Sequence, residues 1–304
     1  MAATNTEIYR RFRGELRPTA LRFLPLARAS IRTATKRKLP LVILYAPPVI
    51  ATVIFSFVVY LRFSLQSGVM PGALGGGGPN PAMMMAAGMA EKLIQVRTQI
   101  AAFHVAMTMF SFLIVAWFGA GMIAEDRRGG AHLLYFARPL TRLDYVLGKF
   151  LALAFFGSLA VVVPGLVICI VATFSSPAWS FLKQEGDVVW RTIVYGLLWV
   201  TVCSSAVLAV SSLASRKSFA LVAAFTLYLL PYPVAMILAD LEEDTRFRVL
   251  SLPGSFLTVG GALFDMPDMR LGFDAELAYG ALAVFTLAAW LALAWRVRRM
   301  EAVA

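Results

Sequence analysis

Stretches free of Asp, Glu, Lys and Arg recur along the chain at 41–61, 101–123, 150–182, 192–215, 218–239 and 277–295. About 20 residues at a rise of ~1.5 Å cross a hydrocarbon core of ~30 Å, so the pattern predicts six transmembrane helices. The third run is long enough to span and emerge, with Ser175, Ser176 and Pro177 as its expected end. Ahead of the first run, Leu24, Ala27, Ile31 and Ala34 recur at helical spacing while Arg28, Arg32 and Lys36 stack on another face. That spacing predicts an interfacial amphipathic helix, which anchors on anionic lipid or acts as an elbow on the first span. The expected fold is all-α: a polytopic six-helix transmembrane bundle with an N-terminal amphipathic interfacial helix. Residues 1–39 form its leader, 40–296 its membrane domain and 297–304 its tail.

Composition agrees, with 60% of residues hydrophobic, 15% charged and a mean hydropathy of +0.75. Soluble chains carry about 25% charged residues, so soluble enzymes and free nucleic-acid binders are excluded. The 28 Lys and Arg against 17 Asp and Glu are read through the positive-inside rule, not as a nucleic-acid footprint. Ten Lys and Arg lie in residues 1–40, five in 124–149, two in 216–217 and three after 295, whereas the alternate connections hold eight in all. Both termini are therefore expected in the cytoplasm, and a bacterial inner membrane is the expected location. The long basic leader and the lack of a small-residue cleavage pattern argue for an uncleaved first span, with an Arg-rich mitochondrial presequence as the rival reading. Cys169 and Cys203 lie in apolar runs and read as packing residues.

The connections differ in character. Residues 62–100 contain Gly75–Gly78, Pro79, Asn80 and Pro81, flexible linker chemistry, followed by Met83, Met84, Met85 and Met89. Those thioethers could ligate Cu(I) but read as an adaptable apolar helix. Asp240, Glu242, Glu243 and Asp244 open the last outer connection as a solvated acidic cap. Residues 250–264 follow, uncharged but too short and too glycine-broken to span, which predicts a re-entrant or interfacial element. Pro47, Pro48, Pro164, Pro231 and Pro233 fall inside spans and predict kinks. In span four, Thr201, Ser204, Ser205, Ser211, Ser212 and Ser215 form a polar strip, explained by close helix packing or by lining of a path.

Several chemistries are missing. No ionised side chain lies in the six runs, which disfavours ion-coupled secondary transport. There is no HExxH, no pair of membrane-depth aspartates and no Gly-x-Ser-x-Gly elbow; a Ser/His dyad on His104 is the residual enzymatic reading, beside a histidine hydrogen-bonded within the bundle. Gly148-Lys149 is no phosphate loop, so the chain is not expected to hydrolyse ATP, to bind a cofactor or to hold a metal. Directional work would draw its energy from a partner.

The loop between spans two and three runs from Glu125 to Lys149. Ala131–Ala137 can form a short helix burying Leu133, Leu134 and Phe136, and Arg138-Pro139 stops it. Thr141 and Asp144 then form a capping box for a helix running into span three. Glu125, Arg127, Arg128, Arg138 and Arg142 edge this lever with charge, which makes it either a docking site or a solvated loop of the positive-inside kind.

Glu125, Gly130, Leu133, Leu134, Pro139, Arg142, Tyr145, Gly148 and Lys149 closely resemble the cytoplasmic loop of type-2 ATP-binding-cassette (ABC) permeases. The six spans, the amphipathic leader and the stretch before span six extend the likeness loosely over the chain. Ala131-His132 departs from it, since relatives often have Thr-Leu there. The resemblance implies the membrane subunit of an ABC transporter, an exporter, pairing with a second permease copy or a relative. It implies separate ATPase subunits that hold the ATP and Mg and dock on the loop. A coupling role is carried to Glu125, Asp126, Arg127, Arg128, Gly130, Leu133, Leu134, Arg138, Pro139, Arg142, Tyr145, Gly148 and Lys149. A scaffold or mechanical signalling subunit using the same docking is the alternative. The substrate is not indicated; lipids, hydrophobic drugs and glycans suit an apolar pocket equally.

Overall fold

The computed structural model describes residues 21–36, 38–66, 95–131 and 141–301. Helix α1, Phe23–Thr35, precedes α2, Lys38–Gln66, which is span one. Span two comprises α3, Val96–Gly119, and a short α4, Ala124–Arg128. Span three comprises α5, Arg142–Ala160, and α6, Val162–Ser175. A short α7, Ser180–Glu185, leads to α8, Asp187–Leu213, which is span four. Span five is α9, Lys217–Leu229, and α10, Pro231–Leu241. The apolar α11, Leu252–Leu263, precedes α12, Ala275–Glu301, the sixth helix long and apolar enough to cross a membrane. The described residues contain no strand, and the all-α six-helix expectation holds.

Of the five prolines expected to kink the spans, Pro164 and Pro231 sit at helix breaks, where a ring lacks a donor and crowds the carbonyl four residues earlier, while Pro233 lies within α10. Pro164 faces the Ala160 carbonyl, and span three breaks there, with Val161 at φ −119° between α5 and α6. Pro231 opens α10 in its first turn, where a missing N–H costs nothing, and so divides span five. Pro47 and Pro48 are instead carried inside α2.

Spans two, three and four form the core, with 56%, 50% and 67% of their apolar windows buried, against 17%, 17% and 22% for spans one, five and six. Small residues allow the close crossing: a Cβ on Gly119 would lie 2.6 Å from both Leu153 of span three and Val207 of span four. Phe118 stacks on Phe156 at 4.4 Å and Phe112 on Tyr228 at 3.9 Å, filling the space around that crossing. Span one lies outside, tethered by the Tyr45 hydroxyl donating to the Phe156 carbonyl at 2.7 Å.

The helices outrun the charge-free runs because charges at their ends are neutralised in place. Arg97 in the first turn of α3 pairs with Asp187 at 2.9 Å and Asp265 at 2.5 Å; Arg191 pairs with the same two carboxylates at 2.9 and 2.6 Å. Glu185 accepts from the Arg97 backbone N–H at 3.3 Å and pairs with Arg62 at 3.5 Å. This three-Arg, three-carboxylate network ties spans one, two and four to the loop after α11. It lies at the end of the bundle opposite α1.

Helix α11 occupies most of 250–264, the stretch expected to be re-entrant or interfacial. Ser251 caps it by accepting from the Gly254 N–H at 3.2 Å, and Phe256, Thr258 and Val259 are buried within the bundle. Gly260 sits against the Tyr195 ring, at 3.2 Å from an added Cβ. Asp240, Glu242 and Glu243 are exposed, as a solvated cap requires. In α1 the buried residues are Leu26 and Ala27, with Ile31 and Ala34 half-buried; Leu24 is 47% exposed, so the apolar stripe is rotated from the one the sequence suggested. Its partner is protein, the first turns of α5, which selects Leu26 over Leu24. Gly75–Gly78, Pro79–Pro81 and Met83–Met89 lie outside the described residues.

Candidate functional site

The two ends of the loop between spans two and three meet at one corner. Span two turns after Gly119: the Met122 N–H reaches the Gly119 carbonyl at 3.0 Å and α4 starts at Ala124. Ser211 of α8 secures this turn. Its hydroxyl donates to the Ala120 carbonyl at 2.8 Å and accepts from the Ile123 and Ala124 N–H groups at 3.1 and 3.2 Å, serving backbone groups that a helix end leaves unpaired.

Arg127 turns inward. Its guanidinium donates to the Ser212 and Ala214 carbonyls at 2.8 and 3.1 Å, capping the C-terminal end of α8, while Arg296 from α12 donates to the same Ser212 carbonyl at 3.3 Å. Glu125 and Arg128 are exposed. Gly130 adopts φ +69°, a left-handed conformation that glycine takes without the penalty of a Cβ, and it ends α4.

On the other side of the loop, the capping box at Thr141 is present. Thr141 Oγ1 accepts from the Asp144 N–H at 3.1 Å, and Asp144 Oδ2 accepts from the Thr141 N–H at 3.1 Å. Arg142 is exposed in the first turn of α5. One helical turn apart, Tyr145 and Lys149 share a face and converge on Asp126 of α4: Lys149 Nζ lies 2.6 Å and Tyr145 Oη 3.0 Å from Asp126 Oδ2. Lys149 is only 5% exposed and Tyr145 is fully buried, so this pair is shielded from water as surface ion pairs are not. The adjacent Gly148 receives α1: a Cβ there would lie 2.9 Å from Leu26 Cδ2 and 3.0 Å from the Phe23 carbonyl oxygen.

Nine of the thirteen residues singled out in the sequence, Glu125 to Arg128, Gly130, Arg142, Tyr145, Gly148 and Lys149, thus fall at one corner. Leu133, Leu134, Arg138 and Pro139 lie outside the described residues. Sequence reasoning missed Ser211, whose place in a polar strip gave no sign that it holds another span, and the inward turn of Arg127. It also missed the network opposite, although the i,i+4 spacing of Asp187 and Arg191 was visible.

His104 is buried among Phe103, Tyr195 and Phe264. Among the described residues neither ring nitrogen has a hydrogen-bond partner, which corrects the expectation of a histidine bonded within the bundle, and no serine hydroxyl among them bonds to it. Aromatic packing holds the imidazole instead. Cys169 and Cys203 are buried thiols in spans three and four.

Residues 47–246 match the family model described as ABC-2 family transporter protein. The match covers more than half of the 304-residue chain and takes in α4, the start of α5 and Ser211, though not α1 or Arg296. No curated protein matches the chain.

Proposed function

The chain belongs to the ABC-2 transporter family, and from that premise we propose that it is the membrane-spanning half of an exporter driven by a separate ATPase subunit docking at the corner between α4 and α5. The observation that carries this reading is the buried Asp126–Lys149 pair, supported by Tyr145, which joins the end of span two to the start of span three. A load applied at this corner has few soft joints to absorb it. Ser211 and Arg127 hold α4 to the end of α8, and α1 packs on α5 at Gly148. Displacement of α4 is therefore passed to the three spans that form the core, while Arg128 and Arg142 present charge on its exposed side.

The corner is read as cytoplasmic, with both termini, because twenty of the 28 Lys and Arg fall in the connections on that side. A bacterial inner membrane suits this charge pattern. The poorly buried spans one, five and six leave apolar surface for lipid and for a second permease copy. ATP and Mg belong to the ATPase in this reading, and the permease converts the ATPase's motion into alternating exposure of a path between two copies.

Purification from the native host in mild detergent tests the reading. A stoichiometric subunit with a phosphate loop and ATPase activity is expected to co-purify, and Gly130→Val or Arg142→Glu is expected to reduce ATPase stimulation while leaving membrane insertion intact. Repeated recovery without an ATPase, or wild-type stimulation in both variants, overturns the docking assignment.

A further inference from the structure

Under α1 lies a cleft of about 300 Å³, at the lower end of the range of small-ligand sites (about 300–1,000 Å³). Ser30 and Thr33 of α1 line one side, Trp117 and Phe118 of α3 the other, and Glu125 and Lys217 its charged end. Gly121 leaves the space between those two charges open: a Cβ there would lie 3.0 Å from Glu125 Cδ and 3.2 Å from Lys217 Cδ.

Four charged side chains border the cleft, and they divide into two kinds. Asp126 and Lys149 are committed to each other. Among the described residues, Glu125 and Lys217 have no ion-pair partner, and the Lys217 ammonium instead lies 4.7 Å from the centre of the Trp117 ring. One carboxylate and one ammonium therefore face the same space without neutralising each other. A ligand carrying an anion and a cation a few bonds apart satisfies both, whereas a simple anion would meet the Glu125 carboxylate at a cost.

The surroundings identify the class of ligand. The amphipathic α1 marks the depth of a membrane interface. Pro40 of α2 also borders the cleft, and on the same helix Leu39, Val42 and Ile43 are 74%, 64% and 60% exposed, an apolar wall open to lipid. We propose that the cleft seats the headgroup of a zwitterionic phospholipid, with its phosphate on Lys217 and the Ser30 hydroxyl, its amine toward Glu125, and its acyl chains along that wall of α2. Such a lipid wedges α1 against the corner. The proposal rests on the bundle's place in a membrane and not on any ATPase partner, so it stands or falls separately from the docking reading.

Native mass spectrometry of the detergent-purified chain, titrated with phosphatidylethanolamine, phosphatidylglycerol or free phosphoethanolamine, tests it. One phosphatidylethanolamine per chain is expected to be retained. Lys217→Gln is expected to weaken retention about tenfold, the loss of one charge-assisted contact, and Lys217→Arg to restore it. Arg298→Gln, which removes an exposed charge elsewhere at the same end, is expected to leave retention unchanged. Glu125→Gln is expected to shift preference toward phosphatidylglycerol. Equal retention by wild type and Lys217→Gln, or equal weakening in Arg298→Gln, overturns the site. Free phosphoethanolamine binding as tightly as the lipid also overturns the proposal, since the acyl chains would then contribute nothing.

Discussion

Arg97 grips Asp187 through both carboxylate oxygens, at 3.1 and 2.9 Å, and so fastens the first turn of span two to the first turn of span four. One terminal guanidinium nitrogen serves both Asp187 oxygens while the other reaches Asp265, so a single cation is held between two carboxylates by charge-assisted hydrogen bonds. Arg97→Gln is expected to cost about 1–3 kcal/mol and to lower the melting temperature in detergent. A double-mutant cycle with Asp187→Asn is expected to show coupling of at least ~0.5 kcal/mol. Asp265 is more exposed, at 55%, and its cycle with Arg97 is expected to give less. Additive losses for Arg97 and Asp187 would contradict the pairing.

The Asp126–Lys149 pair predicts a different pattern. Lys149→Met removes the ammonium that lies 2.6 Å from Asp126 Oδ2, in a site where Lys149 itself is 5% exposed. Removing one partner of such a pair costs about 3–5 kcal/mol, because the remaining charge stays desolvated. The Asp126→Asn, Lys149→Met double variant is expected to be more stable than the sum of the single losses implies. Thermal unfolding of the three variants checks this, and strict additivity would mean that the two groups are independently solvated.

Both relationships show what a sequence can and cannot disclose. The six spans were legible because the hydrocarbon core demands uncharged helices of fixed length, and that demand is written residue by residue. The capping box at Thr141 and Asp144 was legible because its partners are three residues apart. Tyr145 and Lys149 could be placed on one face of α5 by spacing, but their meeting with Asp126 across the loop depended on how two spans pack. Arg97 and Asp187 are 90 residues apart, and a charge count assigns them to loops. In α1, Leu26 is covered in place of Leu24 for the same reason: spacing defines an apolar stripe, and only the partner decides which edge of it is covered.

Gly148 is where α1 meets span three, so its replacement separates packing from charge. Gly148→Val places branched atoms where Leu26 Cδ2 and the Phe23 carbonyl already stand, at 2.9 and 3.0 Å from the new Cβ. Backbone cannot yield as a flexible side chain can, so α1 is expected to lift, at a cost of about 1–3 kcal/mol. Limited proteolysis is expected to cut near residues 21–36 faster in Gly148→Val than in wild type, with the core spans still protected. An unchanged digestion pattern would show that α1 is held by something other than this contact.

Ser211 and Ser205 belong to the same polar strip, yet they bond in different directions, and this yields the sharpest comparison. The Ser205 hydroxyl turns back to the Thr201 carbonyl of its own helix at 2.6 Å, an oxygen that also serves the helix ladder. Ser205→Ala removes no group's sole partner and is expected to change stability by less than about 0.5 kcal/mol. The Ser211 hydroxyl instead crosses to another span, where it is donor to Ala120 and acceptor for Ile123 and Ala124. Of these, the Ile123 N–H has no other bond that the helix geometry supplies, because the chain is turning there between α3 and α4. Ser211→Ala therefore strands buried backbone groups, with an expected loss of about 1–3 kcal/mol. The loss should be local first: amide hydrogen exchange is expected to quicken at residues 120–125 while the centre of α8 stays protected. If the two alanine variants prove equally mild, the strip is only a surface for close packing and span four does not hold the corner.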